Sequence, residues 1–269
     1  MTPVTVRQWV AGASEELARA GVDTPRLDAE LLLADAAGLD RATLVTGSEE
    51  KVPAEAAARA DAHLARRVAR EPVAYILGRR AFRRIELFVD RRVLIPRSDT
   101  ELLVEVVARE MPAGARVHEV GTGSGAVALA LRDERPDLVV SASERSPGAA
   151  EVARANAARL GIALEVAVLE GHPGGAFDLV VANLPYVRDD EWAGLDPEIT
   201  RYEPREAFLG GPDGLREIRA LVSVAPSGTL VALEHAPDQA SAVQGLLAGG
   251  AASHRDLASR ERVTIGRAP

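Results

Sequence analysis

The chain has 269 residues, with 32 basic and 40 acidic side chains, a formal charge of −8 and 47% hydrophobic residues. That balance excludes wholesale disorder and a fibrous repeat, and the length suits one or two domains. Cysteine is absent, which excludes disulfides, thiolate zinc sites and a cysteine nucleophile.

No apolar run approaches the ~20 residues of a membrane span, and the opening MTPVTVRQWV lacks the basic start and apolar core of a secretory signal. The expectation is a cytoplasmic protein with no membrane attachment and no metal. Net acidity argues against binding nucleic acid by bulk charge. Lys51 is the only lysine among the 32 basic residues. In so Ala- and Gly-rich a chain this reads as GC-rich coding, so single arginines carry little information.

Residues 3 to about 70 read as helical. Leu27, Leu31 and Leu32, then Leu39 and Leu44, recur at helix-face spacing. Asp23-Thr24-Pro25 opens one helix, with Pro at an early position. Gly38-Leu39-Asp40 breaks it, and the Ala-rich run 54–69 forms another. No catalytic constellation falls in this small helical bundle. From 72 to 97 the pattern alternates around Ile85, Leu87 and Val89, punctuated by Gly78, with Asp90-Arg91-Arg92 as a turn between short strands. This predicts a β-hairpin joining two domains. Ten arginines lie between Arg66 and Arg97, against only Glu71, Glu86 and Asp90. They form either a basic face for an RNA-bearing partner assembly or, the favoured reading, an ordinary solvated hairpin.

Beyond Thr100, helices and strands alternate. ELLVEVVARE, AVALALRDERP, GAAEVARANAARLG, GLREIRALVSVA and SAVQGLLAG read as helices. ARVHEV, LVVSAS, LEVAVL, FDLVVA, GTLVALEH and RVTIGR read as strands. Such alternation with continuous apolar strands predicts an α/β domain with a mostly parallel sheet covered on both faces. The last strand, reached by a short return, is expected antiparallel. The predicted division is a helical domain at 1–72, a hairpin linker at 73–97 and a Rossmann-like domain at 98–269. Ligands in such sheets bind at the carboxyl ends of the strands.

Two motifs lie at those ends. The first, Glu119-Val-Gly121-Thr122-Gly123-Ser124-Gly125, closes one strand and opens a helix; its glycines allow a tight turn and close approach to a ligand. Glu144 ends the next strand, where an acid can accept hydrogen bonds from both ribose hydroxyls. Glu119 beside the glycines would repel a pyrophosphate and suits a cationic amino-acid end, which points to S-adenosylmethionine rather than NAD. The second motif, Asn183-Leu184-Pro185-Tyr186, ends the strand FDLVVA. A planar NH2 is a poor nucleophile and must be aimed in line with the leaving sulfur. The Asn183 side-chain oxygen and the Leu184 carbonyl can hold its two N–H groups, a catalysis of orientation and electrostatics. Tyr186 would wall the pocket and stack on the planar group.

With these motifs in place, the chain resembles the N5-glutamine methyltransferases of peptide chain release factors over nearly its whole length. LDAELLLADAAGLDR, EPVAYILGRRAF, VLIPRSDTELLVE, EVGTGSGAVALAL, ERSPGAAEVARANAARLG, FDLVVANLPYV and YEPREAFLGGPDGL follow that family's order. The resemblance implies a Rossmann-like, S-adenosylmethionine-dependent methyltransferase whose helical N-terminal domain recognises a release factor carrying the Gly-Gly-Gln loop. It implies that Gly121 to Gly125, Glu144, Pro96, Arg97 and Thr100 lie at the cofactor. It also implies that Asn183 to Tyr186 hold the glutamine amide, with Glu203 and Pro204 lining the substrate side. The chain departs from the family pattern at Leu184, where Pro is usual, and at Glu144, where Asp is usual. It departs again in the short loop around His172-Pro173 and in ASRERV near the end. These departures keep two alternatives open: a paralogue methylating an amide, amino or guanidino nitrogen of a small molecule or another protein, and an adenine-N6 methyltransferase.

Overall fold

A computed structural model describes residues 4–171 and 174–269, and the chain divides into two units between Gly78 and Arg79. In the first unit, α1 (Val6–Arg19) begins at a capping box: Thr5 Oγ1 accepts from Gln8 N, and Gln8 Oε1 accepts from Thr5 N. It packs with α2 (Pro25–Ala37), α3 (Arg41–Thr46) and α4 (Ala54–Val68) around a core that includes Leu17, Leu32, Leu33, Leu44 and Ala60. Of the expected leucines, Leu32 and Leu44 are buried while Leu27 and Leu39 are exposed, and the buried stripe of α2 is Ala29, Leu32, Leu33 and Ala36. The run Leu31-Leu32-Leu33 fits several helix faces. Gly38, left-handed at φ 68°, turns Leu39 away from the core. A short α5 (Val73–Leu77) occupies the start of the expected hairpin linker, between Pro72 and a left-handed Gly78.

The second unit opens with an antiparallel hairpin, β1 (Arg79–Phe82) and β2 (Ile85–Phe88). Ile85, Leu87 and Val89 are buried as the alternation requires. The turn between the strands is Arg83-Arg84, not Asp90-Arg91-Arg92, which lies beyond β2. Arg83 adopts φ 51°, an uncommon conformation for a residue with a Cβ. Its guanidinium forks onto both Glu134 oxygens at 2.7 and 2.8 Å, and its N–H reaches Glu101 Oε1. Several other arginines of this stretch also meet acids: Arg92 pairs with Asp90, Arg84 with Asp133 and Arg66 with Glu71, whereas Arg80 donates to Pro96 O. This pairing favours the ordinary hairpin over a basic docking face.

Then α6 (Glu101–Glu110) leads into β3 (Arg116–Val120), α7 (Ala126–Glu134), β4 (Val139–Glu144), α8 (Pro147–Leu160), β5 (Glu165–Val168) and β6 (Leu179–Ala182). The chain continues through α9 (Pro197–Tyr202), α10 (Arg216–Val224), β7 (Leu230–Glu234), α11 (Ala240–Leu246), β8 (Ala248–Arg255) and β9 (Glu261–Arg267). Seven strands form one sheet in the order β5-β4-β3-β6-β7-β9-β8. Strands β5 to β7 run parallel, and β9 is antiparallel to both neighbours, as expected of the last strand. The expected strand list lacks β8. Its AGGAASHR has no β-branched residue, and pairing to β9 supplies what local propensity does not. Chain order reverses between β3 and β6, which sets a crevice at their carboxyl ends. Strand β6 is fully buried along Leu179-Val180-Val181-Ala182, and each of its larger side chains contributes ~1.5–3 kcal/mol. The residues after it start from a rigid base.

Candidate active site

A cavity of about 620 Å³ opens at that crevice, walled by Gly121, Gly123, Glu144, Asn183, Pro185 and Tyr186 among others. Its size is that of small-molecule sites generally. Gly121, Gly123 and Gly125 all sit at positive φ, at 74°, 55° and 85°. A Cβ on Gly123 would project into open space, whereas one on Gly125 would lie 2.8 Å from Leu129 Cδ1. Gly125 does not line the cavity; it lets α7 pack closely. The sequence expected it at the cofactor, but it acts one step behind.

Glu119 is buried and lines the cavity floor. Its Oε2 accepts from Thr122 Oγ1 at 2.5 Å and from Ala128 N at 2.9 Å, tying strand, loop and helix start together. Burial pushes its carboxyl up to about 8, against those two hydrogen bonds, with Glu144 adding repulsion. Glu144 is also engaged: Oε2 accepts from Gly123 N and Oε1 from Ser146 N, each at 2.9 Å. Each oxygen retains acceptor capacity toward the cavity.

Asn183 stands one residue past β6. Its Nδ2 donates to Thr100 Oγ1 at 3.1 Å, which leaves Oδ1 as the free acceptor end of the amide. The turn that follows is braced from behind by the segment FLGGPDGL. Val187 N donates to Phe208 O, Gly210 N donates to Val187 O, and Gln239 Nε2 donates to Tyr186 O at 3.0 Å. A Cβ on Gly210 would stand 2.5 Å from Pro185 O, and one on Gly214 would overlap Tyr186 O and Gln239 Nε2. These glycines exist for that close approach. Burial, then the Glu234 charge, raises the Tyr186 phenol well above its ordinary range, so the hydroxyl is a donor and not a base.

Pro96, Arg97, Thr100, Thr122, Ser124, Leu184 and Pro204 reach the cavity wall. Glu203 does not, although the resemblance places it on the substrate side. Its buried carboxylate accepts from Ile95 N and pairs with Arg97, fixing the approach to α6. His172 and Pro173 lie outside the described residues. Sequence reasoning missed Asn156 on α8, fully buried, which accepts from Phe88 N (2.7 Å) and donates to Phe88 O (3.0 Å) and Ser124 O (2.9 Å). Its one signal is a lone amide on an alanine-rich buried face. Gln239 and Glu234 were missed as well. Among the described residues no group of His, Asp and Glu is placed to hold a metal, and no helix is long and apolar enough to cross a membrane.

Residues 8–78 match the PrmC N-terminal domain and residues 97–195 the methyltransferase small domain. The chain is 38% identical over 99% of its length to a release factor glutamine methyltransferase of Caulobacter vibrioides, covering 97% of that protein. It is 43% identical to the namesake of Burkholderia pseudomallei, covering 98% of this chain and 99% of the other. A third, from Neisseria gonorrhoeae, is 41% identical over 90% of this chain and 93% of its own. Among solved structures, the catalytic domain of hMettl16, in complex with an RNA hairpin, superposes with a TM-score of 0.52 at 11% identity. That match covers 67% of this chain and 74% of the other, a likeness of fold alone.

Proposed function

This chain belongs to the release factor glutamine methyltransferase family, and on that premise we propose that it methylates the side-chain amide nitrogen of a glutamine in a peptide chain release factor, using S-adenosylmethionine. The observation that carries the reading is the placing of Asn183, with its Nδ2 engaged by Thr100, on the same cavity as the Gly121–Gly123 turn.

The residues present fit the cofactor. The space beside Gly123 is open, Glu119 offers a carboxyl that can ionise beside a cation, and Glu144 keeps lone pairs for ribose hydroxyls. When bound, S-adenosylmethionine supplies an electrophilic methyl group. The chain's own residues then aim the acceptor. Asn183 Oδ1 takes one N–H of the glutamine amide, the Leu184 carbonyl takes the other, and Pro185 and Tyr186 wall the planar group. No strong base is needed beforehand, because the nitrogen sheds its proton readily once alkylated. In this reading residues 98–269 are the catalytic domain, 73–97 its linker, and the helical residues 1–72 recognise the protein substrate. The test is incubation with methyl-labelled cofactor and a release factor, beside its Gln→Ala variant in the Gly-Gly-Gln loop. Label on the intact factor alone is expected; equal label on both, or none, overturns the acceptor assignment.

A further inference from the structure

The segment ASRERV, residues 258–263, departs from the family pattern yet does not line the cavity. It forms the turn between β8 and β9 and the first residues of β9. Asp256 gathers that turn: its Oδ1 accepts from Arg260 N at 2.9 Å and its Oδ2 from Arg260 Nε at 2.8 Å. The backbone of Arg262 is fixed by the sheet, because His235 N, just past β7, donates to its carbonyl at 3.0 Å. The Arg262 guanidinium bridges two acids. Its Nε faces Asp256 Oδ2 at 3.4 Å, and its Nη2 meets Asp99 Oδ2 at 3.0 Å. A planar fork can span two carboxylates in this way, whereas an ammonium is a point charge. Arg260 reaches the same Asp99 oxygen more loosely, at 3.4 Å.

Asp99 lies in the short helical turn Ser98–Thr100 that leads into α6. A threonine at a helix start ordinarily caps it, with its hydroxyl on a backbone N–H of the first turn. Thr100 makes no such cap, and its Oγ1 accepts instead from Asn183 Nδ2 at 3.1 Å. The turn that carries the partner of Asn183 therefore lacks its local fastening. Asp99, one peptide bond away, supplies a distant one through Arg262. The connection is unbroken, from β9 through the ion pair to the turn, and from the Thr100 hydroxyl to Asn183. We propose that Arg262 and Asp99 are positioning residues, an ion pair that holds the Ser98–Thr100 turn to β9 so that Thr100 keeps the Asn183 amide aimed at the acceptor nitrogen. The inference rests on Asn183 holding the acceptor, as the proposed function has it.

The pair sits where it can act. The Arg262 side chain is 14% exposed and that of Asp99 34%, so solvent screens the attraction only in part. Asn183 works by orientation, and a displacement of ~1 Å in an orienting group can cost up to about 100-fold in rate. The glycine turn is held separately, by Glu119 on Thr122 and by Glu144 on Gly123 N. Loosening the pair therefore lowers kcat and spares cofactor binding. The Arg262 charge is also felt at Tyr186, and the experiment separates that route from the one through Asp99.

Arg262→Gln and Asp99→Asn should each lower kcat about tenfold, while cofactor Kd stays within about threefold. In a Thr100→Val background, which removes the hydroxyl, adding Arg262→Gln should cost less than about twofold more, because the route it acts through is gone. In the free enzyme with 15N-labelled asparagine, the Asn183 side-chain NH2 resonances, assigned through Asn183→Asp, should shift alike in Arg262→Gln and Asp99→Asn. Unshifted resonances, unchanged kcat, or a full additive loss in the Thr100→Val background overturn the proposal. A loss in Arg262→Gln that Asp99→Asn does not share overturns it in favour of direct action of the Arg262 charge on Tyr186. A fall in kcat matched by falls in cofactor affinity and Tm overturns it in favour of a purely structural role. If the wild type leaves release factor unlabelled, the acceptor assignment fails, and the free-enzyme resonances still decide whether the pair holds Asn183.

Discussion

Replacing Asn156 by Ala should unfasten the β1–β2 hairpin and the glycine turn from α8 in one step. The side chain makes three hydrogen bonds, to Phe88 N, Phe88 O and Ser124 O, from a site of 0% exposure. Each buried backbone group left without a partner costs roughly 1–3 kcal/mol. Phe88 is only half-buried, so water recovers part of its share. The expected loss is about 3 kcal/mol, or roughly 6–12 °C in Tm for a unit of this size. Because Ser124 belongs to the cavity wall, cofactor affinity should fall with it. Asn156→Asp sharpens the test. It keeps the acceptor for Phe88 N but turns a carboxylate oxygen toward two carbonyl oxygens, so it should be less stable than the Ala variant despite its closer shape. Calorimetric unfolding at pH 8 reads both. A Tm for Asn156→Ala within about 2 °C of the parent, or an Asp variant more stable than the Ala variant, would refute the reasoning.

Asn183→Ala should abolish methyl transfer while leaving cofactor affinity within about tenfold (~1.4 kcal/mol), read by labelled-methyl counting and calorimetry. Gly214→Ala should abolish turnover and lower Tm, since the added methyl overlaps Tyr186 O and meets a φ of 74°. Glu119, held neutral by burial up to about pH 8 in the free protein, should ionise beside a bound cation. Binding at pH 7 should then release close to one proton (~0.9), seen as a dependence of calorimetric heat on buffer ionisation enthalpy and absent in Glu119→Gln. The same raised carboxyls govern stability. Glu119 and Glu234 bind more protons folded than unfolded between their ordinary 4.5 and about 8 and 7, so the free protein should lose stability as pH rises from 5 to 8.

Much of the architecture was legible because β6 and most of β7 are runs of Val, Leu and Ala, and amphipathic helices alternate with the strands. Local chemistry hid the rest. The Arg83-Arg84 turn carries no Gly or Asn, and its left-handed residue is held by Glu134, far off in the chain. Strand β8 has no intrinsic preference for its conformation and exists through β9. At the site, the residues that touch the cavity follow motifs, whereas Asn156, Gln239 and Glu234 act on backbone groups or side chains remote in sequence. A residue whose partner lies 32 or 53 positions away leaves no spacing to read.

Three acids stand at the carboxyl ends of strands of this sheet: Glu119 on β3 and Glu144 on β4, which line the cavity, and Glu234 on β7, which does not. The sequence reading treated the first two as ligand groups, yet both are first of all acceptors for the chain itself. The reason is general to parallel sheets. Strand ends feed tight loops and helix starts whose N–H groups have no partner within their own element. An acid placed there meets those donors before any ligand arrives: Glu119 takes Ala128 N at the start of α7, and Glu144 takes Gly123 N and Ser146 N. A ligand meets the lone pairs that remain, already aimed by the loops they organise. Glu234 differs in accepting from the Tyr186 hydroxyl and from no backbone amide. Hydroxyl protons rotate and backbone N–H groups do not. Glu119, which accepts from the Thr122 hydroxyl as well as from Ala128 N, has both kinds of partner.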